Sequence, residues 1–206
     1  MRDLLILGIG VHGREMAEIV ERVNAVQPTW NLLGFISPDG KHAGKVLNDL
    51  PVLGGCEKLA EYPEALLVPD IEWPRSIDMP LERLTSLIDP TSFVSRTAQI
   101  GRGCVIYPFC YIGLNAWLGD YVCCLSGCVI NHDDAIGDRT VLASRVTLAG
   151  YVHVEEDCYL GQGCTVRETL RIGHDSTIGM GAVVVRDVPA KSVMVGNPAH
   201  LMKAEG

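Results

Sequence analysis

The sequence predicts two parts: a small α/β unit, about half of a doubly wound Rossmann fold, and then a parallel β-helix built from hexapeptide repeats. Three observations carry this. From Ile88 to Val184 every sixth residue is Ile, Leu or Val, with Cys124 the one departure. A second, smaller column follows four residues after each, including Ala98, Cys104, Cys110, Ala116, Val122, Cys128, Val146, Cys158, Cys164 and Ala182. Ahead of both lies Gly8-Ile9-Gly10-Val11-His12-Gly13, a G-x-G-x-x-G between an apolar run and an amphipathic one.

The first unit spans 1–80. Asp3-Leu4-Leu5-Ile6-Leu7 reads as a buried parallel strand that runs into the glycine turn. The helix after it carries Met16, Ile19, Val20 and Val23 on one face. In that context the first amides of the helix are placed to hold a phosphate, although the motif alone is a weak signal. A second strand, Leu32 to Ile36, ends at the turn Ser37-Pro38-Asp39-Gly40. A loop through Pro51-Val52-Leu53-Gly54-Gly55 leads to a short helix, Glu57 to Glu61, and a third strand, Ala65 to Val68. Trp73-Pro74 and Met79-Pro80 break up the chain beyond that strand, and Leu81 to Leu87 is expected to form a last short helix.

The second unit spans 81–206. A period of six matches neither a helix nor a long strand, whereas a triangular coil of short strands places one large residue inward per side. Three sides give eighteen residues per coil, and successive coils stack about 4.8 Å apart. Residues eighteen apart are therefore vertical neighbours. Glycine follows the large aliphatic at 101, 113, 119, 137, 161, 173 and 179, where positive φ is expected at the corner. Residues 185–206 read partly as a cap over the open end of the coil.

Composition narrows the function. The chain has 206 residues, 48% hydrophobic and 20% charged, with a formal charge of −8 and no Lys/Arg run, so a nucleic-acid footprint is not expected. No apolar stretch is long enough to cross a bilayer, and the first residues read as a strand and not as a signal peptide. Of the eight cysteines, five lie in the small inward column and Cys124 in the large one. They read as small core residues in a reducing, cytoplasmic setting.

His132 is the candidate for chemistry. It lies two residues after inward Ile130, in Ile130-Asn131-His132-Asp133-Asp134, and its vertical neighbour is Gly150 in Leu148-Ala149-Gly150. A corner imidazole beneath a backbone without a side chain suits acyl transfer. The ring takes a proton from a nucleophile, and the Gly150 amide stabilises the carbonyl oxygen as it gains charge. Either Asp133 or Asp134 is placed to hold the ring, and Asp134 falls in the inward column, where it needs hydrogen bonds. Histidines 132, 153 and 174 share no column, so no metal is expected.

With the glycine-loop unit, the hexads, Asn131-His132-Asp133, Leu148-Ala149-Gly150 and Val195-Gly196-Asn197-Pro198-Ala199, the chain resembles the hexapeptide-repeat sugar acetyltransferases, meaning the sialic acid O-acetyltransferases and their UDP-4-amino-sugar N-acetylating relatives. The resemblance implies a left-handed coil, a homotrimer with sites between subunits, and acetyl-CoA as donor in a ternary complex. It implies His132 as catalytic base, Asp133 as its support and Gly150 at the thioester. It implies Gln162 and Met180 on the CoA arm, with Gly10 and His12 at the sugar nucleotide. The chain departs from relatives at Ser37-Pro38, which stands in place of two acidic residues. It departs also at Pro69-Asp70, where relatives have a glycine, and at Val141 in place of a histidine. The expected activity is acetylation of an amine or hydroxyl of a nucleotide-activated amino sugar. The alternatives are a non-nucleotide acceptor and a non-catalytic trimeric scaffold.

Overall fold

A computed structural model describes residues 1–74, 76–77 and 79–202, so the last residues of the expected cap lie outside the described part. The chain divides into two compact units, Met1–Pro90 with Arg102–Val105, and Thr91–Gly101 with Ile106–Gly206.

In the first unit, β1 (Arg2–Leu7), α1 (Val11–Val26), β2 (Trp30–Ile36), β3 (Val46–Leu47), β4 (Leu50–Gly54) and β5 (Leu66–Pro69) form a sheet of order β3-β4-β2-β1-β5. All neighbours are parallel except β3 and β4. Leu4, Leu5, Ile6 and Leu7 are fully buried, as a central parallel strand covered on both faces requires. Helix α1 buries Met16, Ala17, Ile19 and Val20. At its far side Arg22 grips the fully buried Asp89 through Nε, 2.6 Å from Oδ2.

Two local expectations fail here. The stretch expected to be loop holds the β3–β4 hairpin, whose turn residues Asn48 and Asp49 both adopt positive φ (46° and 58°). Asn-Asp between two short apolar pairs is the chemistry of a two-residue hairpin, but strands this short leave little alternation to read. The helix expected over Leu81 to Leu87 is a single 3-10 turn, Leu81–Arg83, and Leu87–Ile88 is already a strand. Leu84 and Leu87 are buried, so sheet packing won over local helix propensity.

In the second unit, two-residue strands repeat through three sheets. One runs from Phe93–Val94 to Val183–Val184, another from Gln99–Ile100 to Arg171–Ile172. The third ends through Thr177–Ile178, Val193–Val195 and His200–Leu201. Ile112 pairs with Ile130, Leu118 with Ile136 and Cys124 with Leu142, the register of eighteen. The inward column from Ile112 to Ile178 is fully buried, with Cys128, Val146, Cys164 and Ala182 beside it. At the end, Val193–Val195 continues the parallel ladder and His200–Leu201 folds back antiparallel upon it.

The glycines that follow the large aliphatics do not serve positive φ. A Cβ on Gly113 would lie 2.7 Å from the Asn131 carbonyl carbon, so these positions are small because the next coil passes over them. The left-handed corners come two residues later, and most are not glycine: Asn115 (56°), Asp133 (60°) and Tyr151 (57°) are examples. Asn and Asp tolerate that region best among residues with a Cβ. Among the described residues no helix is long and apolar enough to cross a membrane.

Candidate active site

His132 stands at the corner between the strands Val129–Ile130 and Ala135–Ile136. Gly113, in the coil on one side, lets the backbone of His132 lie close, since a Cβ there would be 2.8 Å from the His132 nitrogen. On the other side, His132 O accepts from Tyr151 N at 3.2 Å, which fixes the register of the next coil. That register brings Gly150 over the ring: a Cβ on Gly150 would sit 3.0 Å from His132 Nε2. Gly150 has φ +60° and its N–H donates to no acceptor among the described residues.

Asp133 holds the other ring nitrogen, with Oδ2 3.0 Å from His132 Nδ1. Its Oδ1 accepts from Asn115 Nδ2 at 3.1 Å. Those two bonds, the Asn115 one first, hold the Asp133 carboxyl below the usual carboxylate range. An ionised Asp133 accepts a hydrogen bond from Nδ1–H, which leaves Nε2 as the nitrogen without a proton, facing Gly150. Tyr151 packs edge-on to the imidazole with ring centroids 5.1 Å apart. The His132 side chain remains 55% exposed in the single chain, so a ligand can reach it.

Asp134 does not touch the ring. It is buried, with Oδ2 accepting from Asn131 N and Oδ1 from Val152 N, each at 2.8 Å. Burial pushes its carboxyl up to about 6, against the two amide donors. The inward carboxylate is therefore a staple between coils that fixes the corner carrying His132. Asp134→Ala strands two buried amides and is expected to cost about 1–3 kcal/mol of stability, read by urea unfolding.

Sequence reasoning misses Asn115 and Tyr151. Subtracting eighteen from Asp133 gives Asn115, so the same register rule reaches it. Gln162 and Met180 lie elsewhere on the coil. They are at the corner preceding the sheet that carries Val129–Ile130, and Gly181 N donates to Gln162 O at 2.8 Å. Both are exposed, Met180 to 79%. One sheet face of the same chain separates that corner from His132. Among the described residues no group of three or more His, Cys, Asp or Glu is placed to hold a metal.

In the first unit, Gly10 is the residue before α1 and provides no side-chain cap, while His12 Nδ1 lies 3.6 Å from Glu15 Oε2. The glycine turn is flanked by acids. The Asp70 carboxylate lies directly over the Gly8 Cα, and a Cβ on Gly10 would be 2.5 Å from Glu72 Oε2. Asp70 is 5% exposed, and burial pushes its carboxyl up to about 6, opposed first by the hydrogen bond from the Glu72 amide; the Glu72 charge adds to the rise and His12 opposes it. Because the ionised form is disfavoured in the folded state, Asp70 costs stability above pH 6 and nothing below its unfolded value near 4. The penalty is about 3 kcal/mol. Asp70→Asn is expected to raise the melting temperature at pH 8, the gain vanishing between pH 6 and 4. After β2, Ser37 is fully buried and donates to Asp39 Oδ1 at 2.7 Å. That bond, with the Lys41 amide, holds the Asp39 carboxyl down at about 2.

No family model matches the chain. It is 25% identical to a perosamine N-acetyltransferase from Caulobacter crescentus, solved in complex with CoA and GDP-perosamine. That match has a TM-score of 0.87 and covers 99% of this chain and 98% of the other. It is also 25% identical to the acetyltransferase domain of PglB from Neisseria gonorrhoeae, with a TM-score of 0.84 over 98% of this chain and 100% of that one. By sequence, 83 residues are 38% identical to the acyl-[acyl-carrier-protein]–UDP-N-acetylglucosamine O-acyltransferase of Pseudomonas aeruginosa, 40% of this chain. The chain spans about a third of the length of the curated relatives it matches, 32%. The expected α/β unit followed by a left-handed parallel β-helix is the architecture found. In fold and two-part layout the chain is similar to these sugar N-acetyltransferases, and in part of its coil sequence to a sugar-nucleotide O-acyltransferase.

Proposed function

We propose that the protein transfers an acetyl group from acetyl-CoA to an amine of a nucleotide-activated amino sugar, with His132 as general base. One observation carries the reading: Nε2 of an Asp133-held imidazole faces the bare backbone of Gly150. Acetyl-CoA would supply the acetyl group as a thioester, and the missing Cβ at Gly150 leaves room for it beside the ring. His132 takes the proton as the acceptor nitrogen attacks the thioester carbonyl, and returns it to the CoA sulfur as the C–S bond breaks, so that amide and free CoA thiol are the products. The uncommitted Gly150 N–H is placed for the carbonyl oxygen as it gains charge. Asp133 holds the imidazole in the tautomer that leaves Nε2 free.

The exposed corner of Gln162 and Met180 suits the CoA arm, but it lies one sheet face away from His132 within a chain. A homotrimer reconciles the two, with the arm corner of one subunit set against the His132 corner of the next. Eight free cysteines, seven of them buried, suit a cytoplasmic setting. The structures resembled support the acceptor class, since one was solved with GDP-perosamine and CoA.

Thermal shift and product analysis test the reading. A ligand bound only by the folded state raises the melting temperature, and CoA at 100 times its Kd is expected to add about 2.7 kcal/mol. Mass spectrometry of a pool of nucleotide-linked amino sugars incubated with acetyl-CoA should show a product heavier by one acetyl group. A shift with CoA but acetylation only of sugars lacking a nucleotide would favour the other acceptor class. No CoA shift would favour a scaffold.

A further inference from the structure

The turn after β5 contains two buried polar atoms with no partner among the described residues: Asp70 Oδ2, an acceptor, and Trp73 Nε1, a donor. Buried groups of this kind are rare because each costs the full loss of its hydration. The first is aimed at the glycine turn. Asp70 Oδ1 is used by Glu72 N at 3.0 Å, but Oδ2 lies over Gly8 and 3.4 Å from where a Cβ of Gly13 would stand. Leu7 pairs with Pro69, so Gly8 and Asp70 leave the C-terminal edges of adjacent parallel strands side by side. Ligands of open α/β sheets sit at that edge. The 16-residue helix α1 begins just beyond, with no side-chain cap.

A phosphate is a poor fit to this turn. It has acceptors and negative charge, and it would meet the carboxylates of Asp70 and Glu72, the latter 2.5 Å from the Cβ position of Gly10. The two unsatisfied atoms ask instead for a ligand that both donates and accepts without charge. Ribose hydroxyls and base edges do so, and a carboxylate at a strand end is a known partner for a ribose hydroxyl. Resting on the reading that the acceptor is nucleotide-linked and is held in the first unit, we infer that Asp70 is a specificity residue. Its Oδ2 accepts a hydrogen bond from the nucleoside part of the acceptor, so the glycine turn seats nucleoside and not diphosphate.

The test uses the full chain and two probes, a panel of the five common nucleosides and inorganic pyrophosphate, titrated calorimetrically into wild type and Asp70→Asn. Asparagine keeps the shape and the Glu72 N bond, and an unaltered far-UV spectrum with a melting point no lower than wild type shows that it folds. At least one nucleoside is expected to bind the wild type, about tenfold or more weaker in Asp70→Asn. Pyrophosphate alone is expected to bind the variant at least as well as the wild type. Nucleoside affinity in the wild type should fall as pH drops through 6, as protonation removes the charged acceptor, and stay flat in the variant. No nucleoside binding, an effect of the substitution under twofold, or pyrophosphate binding that needs the Asp70 carboxylate would each overturn the assignment. These readouts involve no acetyl transfer. A chain that shows the expected binding pattern but acetylates nothing contradicts the proposed reaction and leaves the role of Asp70 standing.

Discussion

His132→Ala is expected to lower kcat for acetyl transfer by a factor of about 100 or more, the usual scale for removing a positioned general base. The coil should survive, because His132 contributes its backbone to the ladder, not its side chain: His132 O accepts from Tyr151 N, and Asp133 N donates to Leu114 O at 2.8 Å. With the imidazole half exposed and outside the core, its loss opens no cavity. KM for acetyl-CoA should change little, since the corner proposed for the CoA arm is elsewhere. Steady-state kinetics beside a melting curve reads all three. Turnover within a few-fold of wild type in a folded variant would discard the mechanism.

Gly150→Val should be comparably damaging for a different reason. The residue has φ +60°, where a β-branched side chain is a steric outlier, and its Cβ would begin 3.0 Å from His132 Nε2. The substitution fills the space beside the base and tilts the amide offered to the carbonyl oxygen. Loss of one such donor is worth about 100-fold or more in rate. Strain alone is separated by Gly127→Ala, which has φ +76° and meets only Arg145 Cγ at 3.4 Å. Adding a Cβ at a left-handed position costs about 1–2 kcal/mol. Gly150→Ala and Gly127→Ala should therefore lose similar stability, while only the Gly150 variant loses turnover. Equal activity in both would mean that the gap above His132 has no catalytic use.

The coil is legible in the sequence because its periodicity is physical. One large inward residue per side, with a small one beside it, fills a narrow triangular core, and Ile112, Leu118, Leu142 and Leu148 occupy the large positions as the spacing requires. The same arithmetic sets Gly150 over His132. It also reaches Asn115, one coil back from Asp133 on the side away from Gly150, which a search for what lies above the ring passes over. What resists reading is local. Glycines such as Gly113 answer to the backbone of the next coil, a contact eighteen residues away, and a window on neighbours points to φ instead. The β3–β4 hairpin is too short to show alternation. In the first unit the glycine motif is plain, but only packing reveals that Asp70 and Glu72 lean over it. No spacing rule connects residue 8 to residue 70.

A structure of the protein crystallised with a non-hydrolysable acetyl-CoA analogue tests the central geometry most directly. The acyl oxygen should lie about 3 Å from Gly150 N, with His132 Nε2 open to the acceptor side and the arm running along Gln162 and Met180 of an adjacent subunit. An acyl group bound at another corner, or an imidazole at 132 facing bulk solvent with no ligand or subunit beside it, would contradict the account.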